Sequence, residues 1–134
     1  MALNTKMSDT SVNAEANALA ALADGGYLRI YSGTQPADAN SGLSGNTQLA
    51  ELRFATPAFG GSTAGLIIAN PLLQDSDADN TGTATWFRVL KSDGTTVLWD
   101  GSCGISGCNM NLNSVSIQQH AIVSVTDFRH QVTE

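Results

Sequence analysis

Apolar and polar positions alternate with a period of two over much of this chain, and the densest alternation runs from Ala84 to Asp100. Its flanks, Trp86-Phe-Arg-Val-Leu90 and Thr95-Thr-Val-Leu-Trp99, are rich in aromatic and β-branched residues, and Ser92-Asp93-Gly94 between them is turn chemistry. The pattern predicts a β-hairpin with one of two registers. A two-residue Asp-Gly loop sets Val89 opposite Leu98 and Phe87 opposite Asp100. A three-residue loop, with Gly94 at positive φ in a bulge, sets Val89 opposite Val97 and Phe87 opposite Trp99. The second is preferred because it gives one wholly apolar face, whereas a one-residue slip buries a carboxylate. Trp86, Arg88, Leu90, Leu98 and Asp100 then line the other face, which is apolar enough to need a cover.

Helical spacing occurs once. Val12, Ala16, Leu19, Leu22 and Ala23 predict a helix over 10–24, with Ser8, Asp9, Thr10 and Ser11 as N-cap candidates and Gly25-Gly26 as the stop. The residues before it, 1–9, read as a polar, flexible arm whose large apolar side chains beyond Met1 are Leu3 and Met7. Strands are expected at Tyr27–Tyr31 and Gln48–Phe54, the latter with Ala50, Leu52 and Phe54 on one face. Gly65-Leu-Ile-Ile-Ala69 does not alternate and is expected to be covered on both sides. Further strands fall at Asn109–Asn113, Val115–Gln118 and Ala121–Val132, with a turn at Gln119-His120. In the last strand a bulge near Thr126-Asp127 reconciles Val123 and Val125 with Phe128, His130 and Val132. The stretch 32–46 is a long loop of Gly, Ser, Ala, Asp and Asn, either a mobile excursion or an interaction loop. About seven or eight short strands with one early helix predict a mainly β chain: an antiparallel β-sandwich, jelly-roll-like, as one domain over 10–134 behind the 1–9 arm.

Composition narrows the function classes. The 134 residues are 13% charged, about half the usual share. Net charge is −6, and the six Lys and Arg are scattered along the sequence, which disfavours direct nucleic-acid binding. No stretch approaches the ~18 apolar residues of a membrane span, and the N-terminus lacks a signal-peptide layout, so a soluble chain made in the cytoplasm is expected. No nucleophile sits in a Gly-x-Ser-x-Gly context, and the glycine pairs lack a following Lys or helix start, so no enzyme class and no cofactor is indicated.

Three constellations still warrant a chemical expectation. Asp75, Asp77 and Asp79 alternate on a loop, as calcium ligands do, yet Asn80 stands where an EF-hand needs Gly and Trp86 where it needs Glu. A solvated acidic turn is the ordinary alternative. Cys103 and Cys108 could join in a disulfide if the intervening glycines let the backbone double back; two reduced thiols are the ordinary alternative. Tyr27, Tyr31, Trp86 and Trp99 could form a sugar-stacking surface, although aromatic residues on strands more often belong to a core.

Two stretches carry a family resemblance. Ser11-Val-Asn-Ala-Glu-Ala-Asn-Ala-Leu-Ala-Ala-Leu-Ala-Asp-Gly-Gly-Tyr-Leu-Arg-Ile-Tyr-Ser-Gly-Thr-Gln-Pro-Ala-Asp-Ala-Asn40 and Gly82-Thr-Ala-Thr-Trp-Phe-Arg-Val-Leu-Lys-Ser-Asp-Gly-Thr95 resemble small virion proteins of tailed bacteriophages. Those proteins have a helical N-terminal segment, a Tyr-x-Gly-x-Gln-Pro turn after the first strand, here Tyr31 to Pro36, and a β-rich remainder. The resemblance implies a non-enzymatic structural protein of the capsid-decoration (cement) type, or secondly a tail or neck component. It implies the major capsid protein and other virion proteins as partners, a homo-oligomer (dimer or trimer), and a place on the capsid surface after assembly in the host cytoplasm. Expected partner-binding residues are then Leu3 and Met7 of the arm, Tyr31, Gln35 and Pro36 of the turn, and Trp86, Arg88 and Leu98 of the hairpin. A carbohydrate-binding module, with the aromatic platform and the Asp75, Asp77 and Asp79 calcium loop, is the expectation from another class.

Overall fold

A computed structural model describes residues 4–132. It is mainly β with one helix. Helix α1 (Asp9–Leu22) starts one residue earlier than its spacing predicts, because Ser8 caps it by accepting the Ser11 N–H at 3.3 Å. The arm therefore ends at residue 7. Val12, Ala16, Ala20 and Ala23 form the buried face, whereas Leu22 is exposed, lying about 100° per residue round the helix from that stripe. Alanines let the helix approach closely, and its amides tie it down: Asn13 Oδ1 accepts the Gly65 N–H at 2.9 Å and Asn17 Oδ1 that of Ser62 at 3.2 Å.

Nine strands follow: β1 (Tyr27–Tyr31), β2 (Gln48–Arg53), β3 (Leu66–Ile68), β4 (Gly82–Thr83), β5 (Trp86–Leu90), β6 (Val97–Gly104), β7 (Met110–Leu112), β8 (Ser116–Ile117) and β9 (Val125–Gln131). Seven form one curled sheet in the order β2-β1-β5-β6-β7-β9-β3, and β4 pairs with β8 in a separate ribbon. The sheet is mixed and not wholly antiparallel, since Cys103 and Gly104 of β6 run parallel to Met110 and Asn111 of β7. The short excursion 105–109 brings the chain back alongside itself in the same direction, a connection that strand spacing alone does not reveal. Aromatic rings link distant segments through the core: Phe128 of β9 lies 5.1 Å from Phe87 of β5 and 5.7 Å from Phe54.

The hairpin register differs from both expectations, and the difference preserves the faces. Near the turn Leu90 lies opposite Val97, the spacing of the Asp-Gly loop. The irregularity between Val89 and Leu90 leaves Leu98 as an extra residue, so Val89 faces Trp99, Arg88 faces Asp100 and Phe87 faces Gly101. The bulge thus cancels the one-residue slip that would have buried a carboxylate in the core. Gly101 is needed there, because a Cβ would stand 2.5 Å from the Phe87 ring. Asp93 fixes the turn by accepting the Thr96 hydroxyl and the Thr95 and Thr96 N–H groups, which hold its carboxyl at about 2. In β9, Leu112 of β7 pairs with Val125 while Asn111 pairs with Asp127, so the extra residue is Thr126, where the alternation places it. Ile67 is buried but Ile68 is 46% exposed, so β3 is covered on one side only.

Both edges of the sheet are closed by non-strand segments. Along β2, Leu73 and Arg53 exchange two backbone bonds, Asp79 N–H donates to Leu49 O at 2.8 Å, and Asp75 Oδ2 accepts the Glu51 N–H at 2.9 Å. Along β3, Gly60 donates to Ile68 O and Asn70 to Ala58 O. Open strand edges invite pairing with other chains, and these segments remove that invitation.

Candidate functional site

The outer face of β2, β1, β5 and β6 is the surface that the sequence marks for a partner, and register builds it in rows. One row runs Leu73, Arg53, Tyr27, Leu90, and the next Glu51, Arg29, Arg88, Asp100. A third pairs Tyr31 with Trp86, whose rings stack at 4.6 Å.

The cover that this face requires is the loop 32–46 itself. Trp86 is fully buried and its Nε1 donates to Ser32 O at 3.4 Å. Arg88 is 6% exposed; its Nε and Nη2 grip both Asp100 oxygens at 2.7 and 2.9 Å, and Nη2 also donates to Ser41 O at 2.9 Å. The Asp100 bonds, opposed by burial, raise the Arg88 pKa further. Gly33, at φ 83, turns the chain away from β1, and Asn46 Nδ2 ties the loop base by donating to Ser32 O and Thr34 O. Asp38 builds a turn at the tip by accepting the Asn40 N–H.

The expected partner residues therefore separate. Trp86, Arg88 and Tyr31 are buried inside the chain and present almost no surface. Leu98 sits at the bulge and packs on the core margin, not on the outer face with Trp86. Gln35 is exposed, while Pro36 and Met7 are half-buried. Leu3 lies outside the described residues.

The three aspartates do not converge. Asp75 accepts from Glu51 and Asp77 N–H groups, Asp77 pairs with His120 Nδ1, and Asp79 accepts from Gln48 Nε2. Among the described residues no three metal-ligating side chains gather. Tyr31 and Trp86 are buried, and Trp99 lies tilted against His130 with ring centroids 4.7 Å apart, so the four rings do not form one exposed platform. Burial lowers the His130 pKa from its ordinary value.

Both cysteines are free thiols. Burial, with a smaller effect of Cys108, pushes the Cys103 thiol up to about 12, so it stays protonated near neutral pH. A Cys108→Ser variant should take up no thiol reagent at pH 8 while folded, and one equivalent after denaturation. Rapid labelling of the folded variant would contradict that burial.

Sequence reasoning missed the Leu73–Arg53–Tyr27 row. Arg53 lies on the exposed side of β2, as its alternation indicates, but Leu73 joins it through a long-range bridge with no local signal. A scan against family models, a search of curated proteins and a search of solved structures find no match to this chain.

Proposed function

We propose that this chain is a non-enzymatic structural protein of a phage virion that decorates the capsid shell and bridges its subunits. The residues quoted above from 11–40 and 82–95 bring the family forward, and one structural observation carries the reading. The 32–46 excursion is hydrogen-bonded at its base, middle and tip, and it projects Gln35 and Leu43 outward over a filled face. Such a loop offers a preformed contact surface whose ordering entropy is spent in folding, not in binding. Closed sheet edges favour side-chain contacts of fixed geometry over open-ended strand addition. A jelly-roll-like sandwich, wrapping two strand layers about Phe87 and Phe128, belongs to the same proposal.

A protein that binds assembled shell but not free subunits shifts the equilibrium toward assembly, and repeated weak sites add by avidity. The major capsid protein is the proposed partner, with a dimer or trimer of this chain as the bridging unit on the capsid surface. Co-sedimentation with shells lacking the protein tests the contact surfaces. Deleting residues 1–7 leaves the Ser8 cap intact and should weaken binding without changing the unfolding midpoint. Gln35→Ala with Leu43→Ser should weaken it further. Undiminished binding by the combined variant would remove both the arm and the loop as clamps.

A further inference from the structure

A second surface feature lies beside the missed row. The ladder between β2 and the 70s segment ends at the Arg53–Leu73 pair. The next pair in register would join Ala55 to Pro71, and proline has no N–H to give. The Ala55 carbonyl is instead satisfied by the Gly25 N–H at 3.2 Å. The two chain segments part there and leave a cleft of about 520 Å³ lined by Phe54, Ala55, Thr56, Pro71, Leu72 and Leu73. That volume lies within the ~300–1,000 Å³ of ligand clefts. Leu73, on its rim, is 70% exposed.

Arg53 stands at the mouth. Its Nε donates to Gly25 O at 3.1 Å, and its guanidinium lies 4.7 Å from the Tyr27 ring centroid. Those two contacts fix the direction of the fork. Arg29, Arg88 and Arg129 each hold a carboxylate, but Arg53 holds none among the described residues, in a protein of net charge −6. A fixed guanidinium edge takes a carboxylate through two parallel hydrogen bonds. Apolar walls beside it take an aliphatic side chain.

We propose that this cleft is a docking groove for an acidic, apolar peptide segment of a partner protein, its carboxylate on Arg53 and an adjoining aliphatic side chain against Ala55, Pro71 and Leu73. Charge complementarity selects the occupant: the groove carries one cation that holds no carboxylate among the described residues and, Thr56 aside, an apolar lining. The inference stands apart from the virion proposal, since it needs only a partner of this chemistry.

The test is an NMR titration of the isotopically labelled full chain with the capped peptide Leu-Asp-Leu-Leu-Asp-Leu and with its Asn-for-Asp counterpart. Amide shifts should move at Gly25, Arg53, Ala55 and Leu73. The Asn peptide should bind roughly tenfold more weakly, as should the Asp peptide to Arg53→Gln. Combining both changes should cost little more than either alone, the signature of a shared contact. Lys6→Gln is the control and should bind as the parent does. Equal affinity of the parent protein for the two peptides would overturn the proposal without depending on any variant. So would shifts confined to other surfaces, or none.

Discussion

Asp100→Ala should destabilise the chain by about 3–5 kcal/mol, because it strands a charge that the fold has removed from water. The Arg88 and Asp100 side chains are 7% and 4% exposed, and the loop 32–46 closes over them. Without the carboxylate the guanidinium keeps only Ser41 O and the face of Trp86, 5.4 Å away. The pair itself is not a large net source of stability, since its attraction is set against the desolvation of two ions. The contrast between single and double variants isolates this. Arg88→Met with Asp100→Leu should recover most of the loss, because apolar groups of similar volume need no partner. Denaturant midpoints at constant slope would measure both. A loss under about 1 kcal/mol for Asp100→Ala would mean that water reaches Arg88 and that the loop is not a closed cover.

Phe128→Ala should cost about 3–5 kcal/mol through the loss of buried surface and the cavity left behind. Its ring is the meeting point of the core. Phe54, Phe59, Phe87 and Trp99 lie 5.7, 5.8, 5.1 and 6.2 Å from it, on elements far apart in the sequence. No single neighbour can move to fill the space, because Phe87 and Trp99 are held in β5 and β6, Phe54 by its N–H to Gly26 O and Phe59 by its bridge to Ala69. For a domain whose total stability is about 5–15 kcal/mol, that change removes a large part of the margin. Unfolding should remain one cooperative transition with a lower midpoint. A small loss, or a separate early transition for one part of the sheet, would show that these rings do not form one shared core.

What could be read from the sequence was local. Val12 and Ala16 marked the helix, Leu28 and Ile30 the first strand, and the phase change around Thr126 its bulge, since each depends only on near neighbours and a fixed period. The hairpin faces were legible while the pairing was not. The bulge at Leu98 answers to the whole sheet, through the need to bring Trp99 and Gly101 to the core side, so no local turn rule predicts it. The Arg53–Leu73 bridge is long-range in the same sense, whereas the parallel β6–β7 pair is close in sequence but needs a backbone reversal that period-two spacing does not mark. For the candidate site, the composition of Trp86 to Asp100 showed that a cover was needed. It did not show that the cover was the chain's own loop, so the residues assigned to a partner were mostly spent internally. Gln35 stayed outside because the Gly33 turn directs it away from the face.

Copy number in purified virions bears most directly on the proposed decoration of a phage shell. Quantitative protein staining against the major capsid protein gives the ratio. Decoration predicts one-to-one or a simple fraction such as one-to-two. A few copies per particle would place the chain in a tail or neck instead, and complete absence from the particle would contradict the virion proposal.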